Sequence, residues 1–84
     1  MNAIDQKLIY SILQEVDALL KQGVLPVHNE HLKHLREDNI LEYLIFMKNQ
    51  GLISGDLITA VADRTPYRLT NIRLTYAGIR ALRV

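Results

Sequence analysis

Apolar residues recur at helical spacing over the first twenty residues of the chain. The positions that share one face are Ile4, Leu8, Ile12, Val16 and Leu19. Asn2 is the predicted N-cap of this helix, with Asp5 in the capping-box position three residues later. Lys21 lies in the last turn, and Gly23 can adopt the left-handed conformation that often ends a helix. The pattern therefore predicts a first helix of about five turns at ~3.6 residues each.

A short second element is predicted between the first helix and residue 36. Residues 24–27 form an extended connector in this interpretation, because the residue before Pro26 avoids the helical region. Asn29 is the predicted cap of a short helix that buries Leu32 and Leu35.

A strongly apolar third helix is predicted from Glu37 to Gln50, ending at Gly51. Its first turn carries the acids Glu37 and Asp38, and seven of the eight positions 40–47 are apolar. One stripe, predicted to face the first helix, contains Ile40, Leu44 and Met47. The remaining apolar residues need cover from the hairpin, the second element or another chain, and they are Leu41, Ile45 and Phe46.

A β-hairpin is predicted after Gly51. Its first strand runs from Leu52 to Ala62 with a bulge at Gly55-Asp56, and residues 63–66 form the turn. The second strand runs from Tyr67 to Leu74. Alternation places Ile72 and Leu74 on one face, whereas the opposite face carries Tyr67, Leu69, Asn71 and Arg73.

A final short helix completes the predicted order of elements. Thr75 is its predicted cap, and its apolar residues are Ala77, Ile79, Ala81 and Leu82. A single α+β domain over residues 1–84 is predicted, with the elements in the order helix, short helix, helix, hairpin and short helix. The order is that of a winged helix-turn-helix, with a three-helix core and the hairpin as wing.

Two short stretches resemble a known family. Residues 46–55 end an apolar helix in Gly51-Leu52-Ile53, and residues 72–78 contain Leu74-Thr75 followed by Gly78. Both are similar to the YjcQ-like family of small bacterial and prophage proteins, and Pro26 and residues 29–32 lie roughly where that family has its short second element. The resemblance implies a winged-helix fold and a DNA-binding role, and it implies no catalytic residues. Sequence-directed DNA binding in transcription regulation is the favoured function.

Charge is distributed unevenly along the chain. The net charge is only +1, which by itself makes a poor polyanion binder. Residues 1–63 contain all nine acidic residues against five basic ones, a net charge of −4. Residues 64–84 contain no acid and a net charge of +5, from Arg64, Arg68, Arg73, Arg80 and Arg83. This asymmetry predicts one basic face.

Double-stranded DNA is the partner that this basic face favours. The wing is predicted to contact phosphate or the minor groove through Arg64, Arg68 and Arg73, with Tyr67 beside them. From the third helix, the candidates for base or phosphate contact are Asn39, Lys48 and Asn49. Three acids on the same helix oppose this hypothesis by repelling phosphate, namely Glu37, Asp38 and Glu42.

A protein-interaction module or homodimer without DNA binding is the alternative hypothesis. In this interpretation the acidic third helix of one chain faces the basic wing of another chain. The apolar centre of the interface would come from Leu41, Ile45 and Phe46.

Enzyme and metal chemistry are disfavoured by the residue pattern. His28, His31 and His34 follow each other at intervals of three, but His28 and His34 diverge by about 120° on a regular helix, and the chain contains no cysteine. Neither a nucleophile–base set nor a glycine-rich phosphate loop stands out. The expectations are a non-enzymatic cytoplasmic protein with no cofactor, metal, membrane contact or small-molecule substrate.

Overall fold

The computed structural model describes residues 4–35 and 39–83 of the chain. Over these residues the architecture is α+β, with three α-helices, one 3-10 helix and a two-stranded antiparallel hairpin. The elements are α1 (Gln6–Lys21), the 3-10 helix (Asn29–Leu35), α2 (Ile40–Asn49), β1 (Ile53–Thr59), β2 (Pro66–Leu74) and α3 (Tyr76–Arg83). This order confirms the predicted α+β class.

Helix α1 begins at Gln6 because Asp5 is its N-cap. One carboxylate oxygen of Asp5 accepts hydrogen bonds from the backbone N–H groups of Lys7 at 2.9 Å and Leu8 at 3.3 Å. Asp5 is therefore the cap and not the capping-box partner that the sequence predicts, and the predicted cap Asn2 lies outside the described residues. The predicted end at Lys21 is confirmed, and Gly23 follows with a φ of 84°.

Helix α2 buries one broad face, as its composition predicts. It begins at Ile40 after the N-cap Asn39, and the predicted first-turn acids Glu37 and Asp38 lie outside the described residues. The buried residues are Ile40, Tyr43, Leu44 and Met47. They join a core built with α1, Val27, Leu32 and the base of the hairpin.

The hairpin contains a bulge that changes which side chains face the core. Ser54 pairs with Arg73, but Asp56 pairs with Thr70, so Gly55 lies opposite two residues of β2. Asn71 takes up the extra residue with a φ of 55°, the conformation found at the first position of one common bulge type. The bulge is where the sequence predicts one, although the inserted residue belongs to β2.

The bulge makes the predicted assignment of Leu69 to the outer face wrong. Leu69 and Ile72 are three positions apart, and simple alternation would place them on opposite faces. The inserted residue restores them to the same face, and both are completely buried. Both side chains therefore contribute to the core.

The tip of the hairpin is a loop over residues 60–65. Strand β1 ends at Thr59, three residues before the predicted end, because Ala60 turns back into the loop. The N–H of Ala60 donates to the carbonyl oxygen of Thr65 at 2.9 Å, and the N–H of Arg64 donates to that of Ala60 at 2.8 Å. Pro66, predicted in the turn, is the first residue of β2.

Helix α3 packs closely against the segment between α2 and β1. Thr75 caps it as predicted, with its hydroxyl oxygen accepting from the N–H of Gly78 at 3.1 Å. The N–H of Thr75 donates to the carbonyl oxygen of Leu52 at 3.2 Å, and a Cβ atom at position 78 would lie only 2.1 Å from that same oxygen. The two short stretches with the family resemblance are thus in direct contact.

Candidate nucleic-acid interface

Two of the predicted phosphate-binding arginines lie on the outer face of the hairpin. Arg68 pairs with Ile58 and Arg73 pairs with Ser54. Ile58 and Ser54 are four positions apart on β1, so they share a face, and directly paired residues point to the same side. Arg73 is exposed, whereas Arg68 is half-buried. The structure brings these two arginines onto one surface.

The third arginine, Arg64, lies at the exposed tip of the hairpin. Its φ of 57° places it in the left-handed region, which is uncommon for a residue with a Cβ. Two large apolar side chains are also exposed at this end of the hairpin: Val61 at 98% and Tyr67 at 58%. The tip is therefore both charged and apolar.

Asp63 adds a negative charge next to Arg64. Its carboxylate accepts a hydrogen bond from the backbone N–H of Thr65 at 3.0 Å. This bond to the Thr65 N–H lowers the pKa of Asp63 from its ordinary value, and an interaction with the Thr65 side chain lowers it further by a smaller amount. Asp63 is therefore ionised at neutral pH, and it offsets part of the positive charge at the tip.

A short segment that runs into the first turn of the 3-10 helix holds β2 in place. We call residues 27–31 the docking segment. Its contacts with β2 are a bond of 3.0 Å from the N–H of Ile72 to the carbonyl oxygen of Val27 and a contact between His28 Nδ1 and Thr70 Oγ1.

Asn29 supplies a third link between the docking segment and β2. Its side-chain oxygen accepts a hydrogen bond from the N–H of Leu69 at 3.0 Å. The sequence predicts that Asn29 caps a helix, but its side chain satisfies a strand N–H instead. Asn29 therefore fixes the position of the hairpin relative to the helices.

Glu30 of the docking segment forms an ion pair with Arg68. Their atoms Oε1 and Nε are 3.3 Å apart, and the angles at Nε do not satisfy those of a hydrogen bond. About a third of the Arg68 side chain and half of the Glu30 side chain remain exposed. An exposed pair of this kind contributes ~0–1 kcal/mol to stability. It nevertheless reduces the charge that Arg68 presents to a phosphate.

The two histidines of the docking segment are ordered against each other. The N–H of His28 donates to Nδ1 of His31 at 2.9 Å, and the two rings stack with centroids 5.1 Å apart and planes 11° apart. Among the side chains that the structure describes, which leave out those of residues 33–38, no group of three His, Cys, Asp or Glu is placed to hold a metal ion. The Nδ1 atoms of both rings take part in protein contacts, that of His31 with the His28 N–H and that of His28 with Thr70.

Helix α2 presents little polar surface. Glu42 and Asn49 are its exposed residues, and the proposed contacts Asn39 and Lys48 are half-buried. Asn39 and Lys48 lie about 180° apart around the helix axis, because nine residues at 3.6 per turn make two and a half turns. The three helix candidates for DNA contact, Asn39, Lys48 and Asn49, therefore do not form one stripe.

The residues predicted for a protein interface are only partly accessible. Leu41 and Phe46 are half-buried and pack against the core, and Ile45 is half-buried. Packing against other residues of the same chain thus buries part of the apolar surface of α2.

Asn29 and Glu30 are the residues of this region that sequence reasoning missed. Asn29 meets its partner Leu69 across 40 residues of sequence. Asparagine is a typical helix-cap residue, and no local pattern links Asn29 to a strand so distant in sequence.

Neither a search for membrane-spanning helices nor comparison with known proteins assigns a function. In the part of the chain that the structure describes, no helix has the length and hydrophobicity needed to cross a membrane. Comparisons with protein-family models, with curated proteins and with solved structures gave no match.

Proposed function

We propose that this chain is a winged-helix domain that binds double-stranded DNA mainly through its hairpin and its C-terminal arginines. The observation that carries the proposal is the run of five arginines without an acid over residues 64–84. The arginines of this run that are exposed are Arg64, Arg73, Arg80 and Arg83. Guanidinium groups bind phosphate oxygens in a two-pronged geometry, so exposed arginines suit a phosphate backbone.

The hairpin is favoured over α2 as the principal DNA contact. A recognition helix needs a stripe of polar side chains that reach base edges, and α2 exposes Glu42 and Asn49. A carboxylate beside the groove also repels phosphate. The proposed role of α2 is therefore to support the hairpin.

The length of strand β2 matches the distance spanned by several phosphates along DNA. From Pro66 to Arg73 the strand extends about 20 Å at ~3.3 Å per residue, shortened slightly by the bulge. This length corresponds to about six base pairs at ~3.4 Å each. Arg64 and Arg73 can then contact phosphates at opposite ends of one short site. In this proposal Arg68 stays with Glu30 and orients the strand.

Fluorescence anisotropy with a mixed-sequence DNA duplex over a salt series tests the proposal. Four phosphate contacts give a slope of log affinity against log salt near −3 to −4, at about −0.9 per contact. The double variant Arg64→Asn/Arg73→Gln is expected to reduce the magnitude of the slope by about two. Asn is chosen at position 64 because it tolerates the left-handed conformation.

Lys7→Gln is the matched control, because it removes one exposed positive charge from α1. It is expected to leave the slope unchanged. The proposal is wrong if the folded wild-type protein does not bind at low salt, or if Lys7→Gln weakens binding as much as the double variant.

A protein partner is the second candidate. It is favoured by the exposed Val61 and Tyr67 at the tip of the hairpin, since aromatic and aliphatic side chains form the centre of many interfaces. A second copy of the chain is the simplest such partner, and DNA binding as a dimer would extend the site. Sedimentation equilibrium of wild type and Val61→Ser/Tyr67→Ser tests this candidate, which predicts a dimer that the double variant dissociates.

A further inference from the structure

We propose that Tyr76, with the guanidinium group of Arg80 over its ring, is a stacking site for an unpaired base at the end of a DNA duplex. Tyr76 is the first residue of α3, just past the end of the hairpin. The proposal rests on the DNA binding proposed above and adds a contact of another kind, made to a base and not to a phosphate. It predicts that the chain prefers a duplex with single-stranded ends over a blunt duplex.

Tyr76 has the most exposed aromatic side chain of the chain's four tyrosines and one phenylalanine, at 75%. Gly78 is the buried residue of α3, and it lies about 200° from Tyr76 around the helix axis. Tyr76 therefore points away from the core, and packing inside the chain does not account for a large ring at this position.

Arg80 lies over the ring of Tyr76. Its guanidinium carbon is 5.7 Å from the ring centroid. The two residues are four positions apart on α3, so they share one side of the helix. A cation at this distance is attracted to the face of the ring, which favours one ring orientation. Since most of Tyr76 is exposed, much of its ring surface is open, and a base can stack there whatever its identity.

The charge around Tyr76 favours nucleic acid as the source of the stacked group. Residues 64–84 contain five arginines and no acid. Arg73 is exposed and precedes Tyr76 by three residues, so their Cα atoms are at most about 11 Å apart at ~3.6 Å per residue. A base stacked on Tyr76 therefore brings its own phosphates close to Arg73 and Arg80. An open aromatic ring beside several cations is the combination found in sites for single-stranded nucleic acid.

Acidic residues on neighbouring elements reduce this positive charge without covering the ring. Asp17 of α1 lines a cavity with Ile79, Leu82 and Arg83 of α3, and it is paired with Lys21 at 2.9 Å.

Asp56 of β1 is two positions from Ser54, which pairs with Arg73, so Asp56 and Arg73 share the outer face of the hairpin. Asp56 therefore offsets part of the charge of Arg73. Stacking on Tyr76 supplies affinity that does not depend on this balance of charges.

The position of Tyr76 relative to the proposed duplex site explains why the base must be unpaired. In the proposed function, Arg64 and Arg73 contact phosphates at opposite ends of a site along β2. The chain passes from β2 into α3 at Thr75, so Tyr76 lies beyond the Arg73 end. Bases inside a duplex are stacked on both faces, whereas a strand that continues unpaired past Arg73 offers a free face to the ring.

Fluorescence anisotropy with three DNA probes tests the stacking site. The probes share one duplex, which ends bluntly, in a fork with short unpaired thymidine tails, or in the same fork with abasic tails. Both forks carry the same phosphates and release the same counterions, so their comparison isolates the bases. We expect the thymidine fork to bind about fivefold to thirtyfold more tightly than the abasic fork, as for stacking of one base on an aromatic side chain. This ratio should stay constant over a salt series.

Tyr76→Leu removes the ring and is expected to bring the ratio close to one while leaving the affinity for the blunt duplex unchanged. Tyr76→Phe keeps the ring and should keep the ratio. Tyr10→Leu is the matched control, because it removes another exposed tyrosine ring, from α1, and it should also keep the ratio. Circular dichroism establishes that each variant is folded. A wild-type ratio of one, or a ratio that survives in Tyr76→Leu, would overturn the proposal.

Failure of the stacking site and failure of the proposed function give different results. Binding of the blunt duplex with equal binding of the two forks refutes the stacking site alone. Binding of the thymidine fork, without binding of the blunt duplex or the abasic fork, refutes the duplex proposal and supports the stacking site. A folded protein that binds none of the probes refutes both.

Discussion

The side chain of Asn29 and the backbone of Leu69 are joined by a hydrogen bond of 3.0 Å across 40 residues of sequence. This bond satisfies an N–H in the completely buried part of β2. It also links the start of the 3-10 helix to the hairpin, so the direction in which the hairpin projects depends on it. The candidate interface is therefore positioned by a residue that does not belong to the hairpin.

Removal of the Asn29 acceptor is expected to destabilise the fold. In Asn29→Ala the N–H of Leu69 loses its partner in a buried position, which costs about 1–3 kcal/mol. Asn29→Asp is the control, because a carboxylate oxygen can accept the same bond. Urea unfolding followed by circular dichroism gives the free energy of unfolding. A loss for Asn29→Ala below about 0.5 kcal/mol would contradict the structural role, since surface substitutions commonly stay within that range.

Gly78→Ala is expected to destabilise the protein although alanine is the better helix former. In an open helix interior this exchange stabilises by up to about 1 kcal/mol. Here the added Cβ would lie 2.1 Å from the carbonyl oxygen of Leu52, which is backbone and cannot rotate away. The expected loss is about 1–3 kcal/mol or more, as for other overpacked sites.

Thermal unfolding of Gly78→Ala and of Ala77→Gly separates packing from helix propensity. Ala77 is the adjacent, exposed residue of α3. Ala77→Gly should therefore lower stability by only about 0.5–1 kcal/mol, through helix propensity alone. A Gly78→Ala variant as stable as wild type would mean that α3 can move away from Leu52.

The helices were more predictable from the sequence than the contacts that hold the candidate interface. Helical periodicity, the basic last turn at Lys21 and the cap at Thr75 are local signals, and the structure confirms them. The face of Leu69 was predicted wrongly because Asn71 introduces an extra residue into β2. Asparagine tolerates positive φ, but its presence in a strand does not reveal whether it does so. The ion pair between Glu30 and Arg68 depends on the final packing, and no local pattern contains that information.

At position 64, glycine is expected to give a more stable protein than alanine, the reverse of the usual order. Arg64 has a φ of 57°, a conformation that costs about 1–2 kcal/mol for a residue with a Cβ. Arg64→Gly should therefore be more stable than Arg64→Ala by about 1 kcal/mol. Thermal unfolding of both variants measures the difference.

The same two variants separate charge from conformation at the hairpin tip. Both remove the guanidinium group, so the proposed function predicts an equal loss of affinity for DNA. If affinity follows loop stability instead, with Arg64→Gly retaining binding and Arg64→Ala losing it, the side-chain charge is not the determinant.

The turn at the hairpin tip is expected to weaken in acid through Asp63. The carboxylate accepts from the N–H of Thr65, and this bond lowers the pKa of Asp63 in the folded protein. Because the folded pKa is the lower one, the stabilisation is complete above the ordinary carboxyl value near 4. It is lost as the pH falls through the folded value.

The Thr65 amide should shift in NMR spectra with a midpoint below that ordinary value, at the same midpoint as the Asp63 carboxyl carbon. Asp63→Asn keeps an acceptor without the titration, so its Thr65 amide should not shift in this way. A midpoint for wild type at or above the ordinary value would show that the bond does not form in solution, and the loop would then hold Arg64 by its backbone contact to Ala60 alone.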